Sequence, residues 1–475
     1  MKLITTLFLT TLMCVAFSQD FIDTSYTINT ETNIEYGTAT SFTGADITLE
    51  MDISHPTNDV IPSCGRPLAL IIHGGAWAAG SKEDGNIKRM REDFAKRGYV
   101  TAAINYRLGY FHTDLNKHCN IENWDCMNLA DSSEWIRAWY RGVQDAKGAL
   151  RYLINNQLIY DIDPSNVFVF GESAGAYISM GVAFMDVEAE KPASCGSLSS
   201  VNPPHQNLYG TCIEGTAFEI EIDDMDLTRP DLGSVDGSLN PSSSPYIIKG
   251  AGSLYGGVFT DLFSEKDYFD VPKLYLYHQP NDLIVPFGRN KLLQGFNSCS
   301  VNPGNCAHIQ DRPLTYGGSG IYNLIDTLSI NSSWKPEIRD EFTSNNADCL
   351  QQIATPSTGG HQFDSYWNRT LSMAEFFAED IGPNDCQTLS TSSNNKDLSK
   401  VNVHPNPTDN YLYFTFNEKE ASVYIFDTQG KLLKEKNVIK SGDSISIGNL
   451  HNGVYYVKVK TASQNTTHKI IKSDR

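Results

Sequence analysis

One stretch constrains the fold more than any other: residues 166–181, NVFVFGESAGAYISMG. Val167, Phe168, Val169 and Phe170 form an apolar run of β-branched and aromatic residues, as a central parallel strand requires. Gly171-Glu172-Ser173-Ala174-Gly175 then fits G-x-S-x-G. Small residues on both sides of Ser173 permit a turn tight enough to lift its hydroxyl to the strand's carboxyl end, at a helix N-terminus. Five residues with three fixed recur by chance, so the weight lies in the context, a strand before and a helix after. The plain structural alternative is a small-residue turn with an idle serine.

At 475 residues the chain exceeds one ordinary domain and can bury a sizeable core. The net charge is −19, yet residues 401–475 carry ten Lys/Arg against seven Asp/Glu. A main body this acidic argues against nucleic acid as a partner. Residues 1–18 read as a signal peptide: Lys2 is the charged start, residues 3–17 the apolar core, and Ala16-Phe17-Ser18 a cleavage site. That apolar run is too short for a membrane anchor. Met13 before Cys14 disfavours a lipoprotein signal. No later stretch is long enough to cross a membrane.

Without Cys14, nine cysteines remain. Export favours disulfides, and Cys119/Cys126, Cys195/Cys212 and Cys299/Cys306 are expected local loops, with Cys349/Cys386 a fourth candidate and Cys64 left over. The connectivity stays open at this point, and the spacing does not suggest zinc.

Residues 19–60 alternate apolar and polar side chains, as one or two antiparallel edge strands would. Residues 68–72 read as a buried strand ending in His73-Gly74-Gly75-Ala76-Trp77. A helix over 88–96 and a strand over 99–104 follow, then Tyr106-Arg107-Leu108. A Cys-bearing insertion spans 110–134. Residues 134–158 have helical periodicity, and two more strands are expected at 246–254 and 273–277. The alternation gives an α/β fold with a mostly parallel sheet and helices on both faces. The insertions after strand ends would form a cap. Residues 387–400, QTLSTSSNNKDLSK, are a linker by composition. Beyond it, short alternating runs separated by turn signals read as a small all-β sandwich. The expected organisation is therefore a signal peptide at 1–18, a catalytic α/β domain at 19–386, a linker at 387–400 and a β domain at 401–475.

Acyl transfer by serine needs a base, a group that orients it and donors for the oxyanion. Asp282 lies just past the strand at 273–277, on a loop at the same sheet edge as Ser173. His361 follows Gly359-Gly360, in a loop able to carry the ring over the serine. The order Ser…Asp…His is that of the α/β-hydrolases. Asp270 and Asp364 are rivals for the acid, and His278 and His308 for the base. Backbone N–H groups of Gly74, Gly75 and Ala174 are the expected oxyanion donors. His73 reads as a loop-shaping residue. The aspartates at 223–226 read as a solvated loop rather than a metal site.

Taken together, residues 73–77, Tyr106-Arg107-Leu108, residues 171–175, Asp282 and His361 resemble the HGGG-type carboxylesterases. The resemblance covers roughly residues 34–377 and implies a cofactor-free α/β-hydrolase with Ser173, Asp282 and His361 as triad. Its substrate would be a small-molecule or polymer ester. Ala76 departs from the pattern where many members carry a third glycine, and the insertion at 296–350 has no place on it. The tail resembles the type IX secretion C-terminal sorting domain, on Val403-His404-Pro405-Asn406-Pro407, residues 426–431, residues 450–457 and the ending at 469–472. That resemblance implies secretion or cell-surface display, with the type IX machinery as partner. The rival is a carbohydrate-binding sandwich. Against it, Tyr411, Tyr413, Tyr455 and Tyr456 sit at strand spacing and are expected in the core.

Overall fold

A computed structural model describes residues 21–57, 61–62, 64–111, 132–200, 226, 228–241, 244–263, 271–295, 312–329, 336–343 and 360–381, and in the tail 401–405, 408–416, 418–427, 431–461 and 465–473. The expected signal peptide, the expected linker and seven of the nine remaining cysteines lie outside the described residues. The chain divides into two compact units, Met1–Thr388 and Leu389–Arg475.

The first unit is built on one sheet with strand order β1-β2-β4-β3-β5-β6-β7-β10. Its strands are β1 (Thr27–Thr40), β2 (Asp46–Thr57), β3 (Arg66–Ile72), β4 (Val100–Ile104), β5 (Ile162–Glu172), β6 (Ile248–Leu254), β7 (Lys273–His278) and β10 (Ile338–Phe342). A separate ribbon pairs β8 (Arg289–Lys291) with β9 (Leu314–Tyr316). The pairs β1–β2 and β2–β4 are antiparallel, and from β4 to β10 every neighbour is parallel. The alternating residues at 19–60 thus form the antiparallel edge.

Strands β3 and β4 are buried along their whole length, which is why they read as unbroken apolar runs. Each face needs a helical cover. Helices α2 (Ser132–Asn155), α3 (Ala174–Phe184) and α4 (Gly318–Ser329) contribute Trp139, Val143, Tyr177, Ile178 and Ile321 to one core. Helices α1 (Gly85–Lys96) and α5 (Tyr366–Ala378) contribute Met90, Phe94, Met373 and Phe377 to the other. This three-layer arrangement turns the carboxyl ends of β3, β5 and β7 toward one edge, where the loops that could carry chemistry emerge.

Two expectations are corrected in this unit. The stretch at 296–350 is not wholly an insertion, since α4 and the edge strand β10 lie inside it and complete the fold. Strand β10 reads Ile338-Arg339-Asp340-Glu341-Phe342 and is half-exposed, so its composition hides its place in the sheet. Cys195 is a buried free thiol rather than half of a Cys195/Cys212 disulfide. Burial pushes the Cys195 thiol up to about 12.

The second unit holds two antiparallel sheets. One orders β11 (Asn402–His404), β12 (Tyr411–Thr415) and β15 (Ser444–Ser446). The other orders β14 (Leu432–Ile439), β13 (Ala421–Phe426), β16 (Gly453–Lys460) and β17 (Asn465–Lys472). Its core includes Leu412, Phe414, Val423, Ile425, Val457 and Val459. Alternation on β12 sends Leu412 and Phe414 inward, so Tyr411 and Tyr413 must face out. They are 50% and 43% exposed, which corrects the expectation that they belong to the core; Tyr455 does, at 8%.

Candidate active site

The loop between β5 and α3 is a strained elbow. Ser173 has φ 53° and ψ −120°, a conformation that non-glycine residues reach only when their surroundings enforce it. The flanking glycines make the enforcement sterically feasible. A Cβ on Gly175 would stand 2.1 Å from the carbonyl oxygen of Ile72, and one on Gly171 2.4 Å from the same atom. The elbow is therefore pressed against the end of β3, beside the loop that starts at His73. The serine's hydroxyl emerges where the first N–H groups of α3 have no intrahelical partner.

The structure brings Ser173, His361 and Asp282 together. His361 Nε2 lies 2.7 Å from Ser173 Oγ, and His361 Nδ1 lies 2.7 Å from Asp282 Oδ2. Asp282 follows β7 and is fully buried at its side chain, while His361 keeps 11% exposure. Asp282 Oδ1 accepts the backbone N–H of Ile284 at 2.8 Å and of Val285 at 2.9 Å. Burial pushes this carboxyl up, but the charge of His361 and hydrogen bonds from His278 and His361 outweigh it and hold the group below its ordinary value. Gly360 has φ +72°, and a Cβ there would be 2.6 Å from the carbonyl oxygen of Asn281. The glycine lets the histidine loop lie directly on the acid loop.

The rivals are placed elsewhere or fall outside the described residues. Asp364 accepts from Arg369 Nε at 3.3 Å and contacts Gln279 Nε2 at 3.5 Å. His278 engages the acid: its Nε2 is 3.1 Å from Asp282 Oδ2, the carboxylate oxygen that His361 also uses. Asp270 and His308 lie outside the described residues.

The loop after β3 carries three consecutive positive φ values, Gly75 at 100°, Ala76 at 53° and Trp77 at 58°. A Cβ on Gly75 would meet the Ala79 carbonyl oxygen at 2.1 Å, and one on Gly74 would reach the Ser173 Cβ at 3.1 Å. The backbone of Gly74 thus passes close to the serine, where donors to a developing oxyanion are needed. His73 stacks on Tyr106 at 4.4 Å, and its Nδ1 donates to the carbonyl of Gly74 at 2.7 Å. Burial depresses this imidazole to about 4, so His73 braces the loop as a neutral ring.

Two neighbours were not singled out by sequence. Tyr255, one residue past β6, meets the His361 ring edge-on with centroids 4.8 Å apart. Its hydroxyl donates to Glu172 Oε2 at 2.6 Å, and Asn86 Nδ2 lies 3.3 Å from the same oxygen. Burial raises the Glu172 carboxyl against these bonds. The signal available was weak: Glu172 occupies the free position of G-x-S-x-G, and Tyr255 follows an ordinary strand.

A small apolar cavity of about 20 Å³ adjoins Ser173, lined by Trp77, Trp135, Tyr177, Val285, Leu292 and Leu293 among others. A larger one of about 380 Å³, lined by Arg107, Arg137, Arg141 and Asp145 among others, touches none of the three residues. Among the described residues no cluster of His, Cys, Asp or Glu has the arrangement of a metal site. No described helix is long and apolar enough to cross a membrane.

Family models match residues 51–114 (BD-FAE), 139–219 (alpha/beta hydrolase fold) and 402–473 (secretion system C-terminal sorting domain). The first unit has the α/β-hydrolase fold, and the second carries the match to the type IX secretion sorting domain. Similar proteins include a probable isoprenylcysteine alpha-carbonyl methylesterase of Arabidopsis thaliana, 25% identical over 27% of this chain and 21% of that one. The fumonisin B1 esterase of Sphingopyxis macrogoltabida is 26% identical over 36% and 29%. A neuroligin-like protein of Caenorhabditis elegans is 31% identical over 23% and 12%. The matched stretches take in less than a third of each relative's own length. Among solved structures, Thermogutta terrifontis esterase 2 is 15% identical, covering 74% of this chain and 94% of that one, at a TM-score of 0.37.

Proposed function

We propose that the protein is an exported serine carboxylesterase that hydrolyses esters of short acyl groups through an acyl-enzyme. The observation that carries this reading is the pair of 2.7 Å hydrogen bonds in series from Ser173 through His361 to Asp282. In the first half-reaction Ser173 Oγ bonds to the ester carbon as its proton passes to His361 Nε2. The carbonyl oxygen becomes an oxyanion facing the N–H groups of Gly74, Gly75 and Ala174; one comparable donor is worth roughly 2.7–4 kcal/mol. The carbon–alcohol bond then breaks, and His361 returns the proton to the departing alcohol. Water repeats the sequence: its proton goes to His361, its oxygen bonds to the acyl carbon, and Ser173 leaves with the proton restored. Asp282 keeps the ring oriented and balances the imidazolium.

The leaving alcohol must lie near His361 Nε2, which protonates it. The acyl group therefore points the other way. The apolar cavity is lined by Ser173 but not by His361, which favours it as the acyl pocket. At about 20 Å³ it offers little more than water-sized space, suited to the methyl of an acetyl group. Acetyl side chains of a polysaccharide fit this geometry better than feruloyl groups, long-chain lipids or aromatic polyesters. The test is kcat/KM over p-nitrophenyl acetate, butyrate and octanoate, alongside acetylated xylan and methyl ferulate. A fall with acyl length supports the reading, and a preference for octanoate or ferulate contradicts it.

A further inference from the structure

His278 ends β7 with its side chain fully buried. The backbone N–H of Gly318 donates to its Nδ1 at 2.9 Å. A ring nitrogen that accepts a hydrogen bond carries no proton, so the proton of His278 sits on Nε2. That nitrogen faces two acceptors, Asp282 Oδ2 and the carbonyl oxygen of Val285, each at 3.1 Å. Gly318 also opens α4. The loop holds the ring closely: a Cβ on Gly318 would lie 2.8 Å from the His278 Cβ, and one on Gly317 3.0 Å from its Cε1. Phe287 closes another side edge-on at 5.6 Å.

We infer that His278 is a positioning residue for hydrolysis, a second histidine whose single N–H holds Asp282 Oδ2 in line with His361 and draws on its charge. The inference rests on the esterase reading above. Asp282 Oδ2 receives His361 Nδ1 at 2.7 Å and His278 Nε2 at 3.1 Å, while Oδ1 is taken up by two backbone N–H groups. A carboxylate with four donors has a fixed orientation and little tendency to take the proton of the imidazolium. Loss of the His278 donor frees charge on Oδ2, which favours protonated His361 and moves the acid limb of activity to higher pH. Among the described residues, the other ionisable groups facing this pair are Tyr177 and Tyr255, both raised by burial, and Glu172 beside Ser173.

Two substitutions in the full chain separate the contacts of His278. His278→Gln places an amide N–H at the Nε2 position and keeps the donor to Asp282. His278→Asn places a carbonyl at the Nδ1 position and keeps the acceptor for Gly318, but loses that donor. On p-nitrophenyl acetate, His278→Asn is expected to lower kcat at least about tenfold with KM within about twofold, and to move the acid limb of kcat/KM upward. His278→Gln should stay within about threefold of wild type with its limb unmoved. Equal losses in both variants, or unmoved limbs in both, overturn the inference. Should neither variant fold, ¹⁵N spectra of the wild-type protein decide: a proton on Nε2 of His278 and a bare Nδ1 support it, and the opposite tautomer overturns it. Absence of any Ser173-dependent turnover in wild type would instead overturn the esterase reading.

Discussion

Asp282 gives one carboxylate oxygen to Nδ1 of His361 at 2.7 Å and is held below its ordinary ionisation range, although its side chain is wholly buried. Asp282→Asn preserves shape but can donate where it should accept. It favours the wrong tautomer of His361 and removes the charge that balances the imidazolium. The same swap in a serine protease cost roughly 10⁴ in kcat. The expected loss here is at least about 10² in kcat, read on one p-nitrophenyl ester with folding checked by circular dichroism. Asp364→Asn should cost far less, because Asp364 is engaged by Arg369. A dead Asp364 variant beside an active Asp282 variant would reassign the acid.

His73 supplies a stability prediction in acid. Its folded value is depressed from 6.5 to about 4 by burial. A depressed group adds stability that is complete above its unfolded value and is lost as pH falls through the folded one. The contribution is on the order of 3 kcal/mol. His73→Asn keeps a donor for the carbonyl of Gly74 and does not titrate. Urea unfolding from about pH 7 to 4 should therefore show wild type losing more stability than the variant. Parallel curves would mean that His73 does not titrate as its burial dictates.

The sorting domain has a core of its own residues, from Val401 to Ile470. Deletion of 389–475 should leave purified enzyme with kcat/KM within about twofold of the full chain. In a host with type IX secretion, the same deletion should hold the protein in the periplasm. Normal appearance in the medium would show that export does not depend on the tail.

Much of this is legible in the sequence. The run at 167–170 had to be a buried strand, and Gly171 and Gly175 had to flank a close approach, here to the Ile72 carbonyl. Strand β10 was not legible, because an edge strand with Arg339, Asp340 and Glu341 carries no apolar run. The same limit applied to Tyr411 and Tyr413: alternation separates the two faces of β12 but does not say which is inward, and Leu412 with Phe414 took that face. His278 looked like a competing base because sequence order carries no distance. Only the geometry at the end of β7 shows that its Nε2 meets Asp282, while His361 meets Ser173.

The most direct test concerns Ser173, whose Oγ lies 2.7 Å from His361 Nε2. Among the described residues no other group at the site is placed to form the acyl-enzyme. Rapid mixing of wild type with p-nitrophenyl acetate should give a burst of nitrophenolate stoichiometric with enzyme if deacylation is slower than acylation, and mass spectrometry of the quenched protein should find one acetyl group on Ser173. Ser173→Ala should fold normally, show no burst or adduct and lose at least about 10³ in kcat. Turnover by Ser173→Ala within about tenfold of wild type, or an acyl group on another residue, would contradict the account.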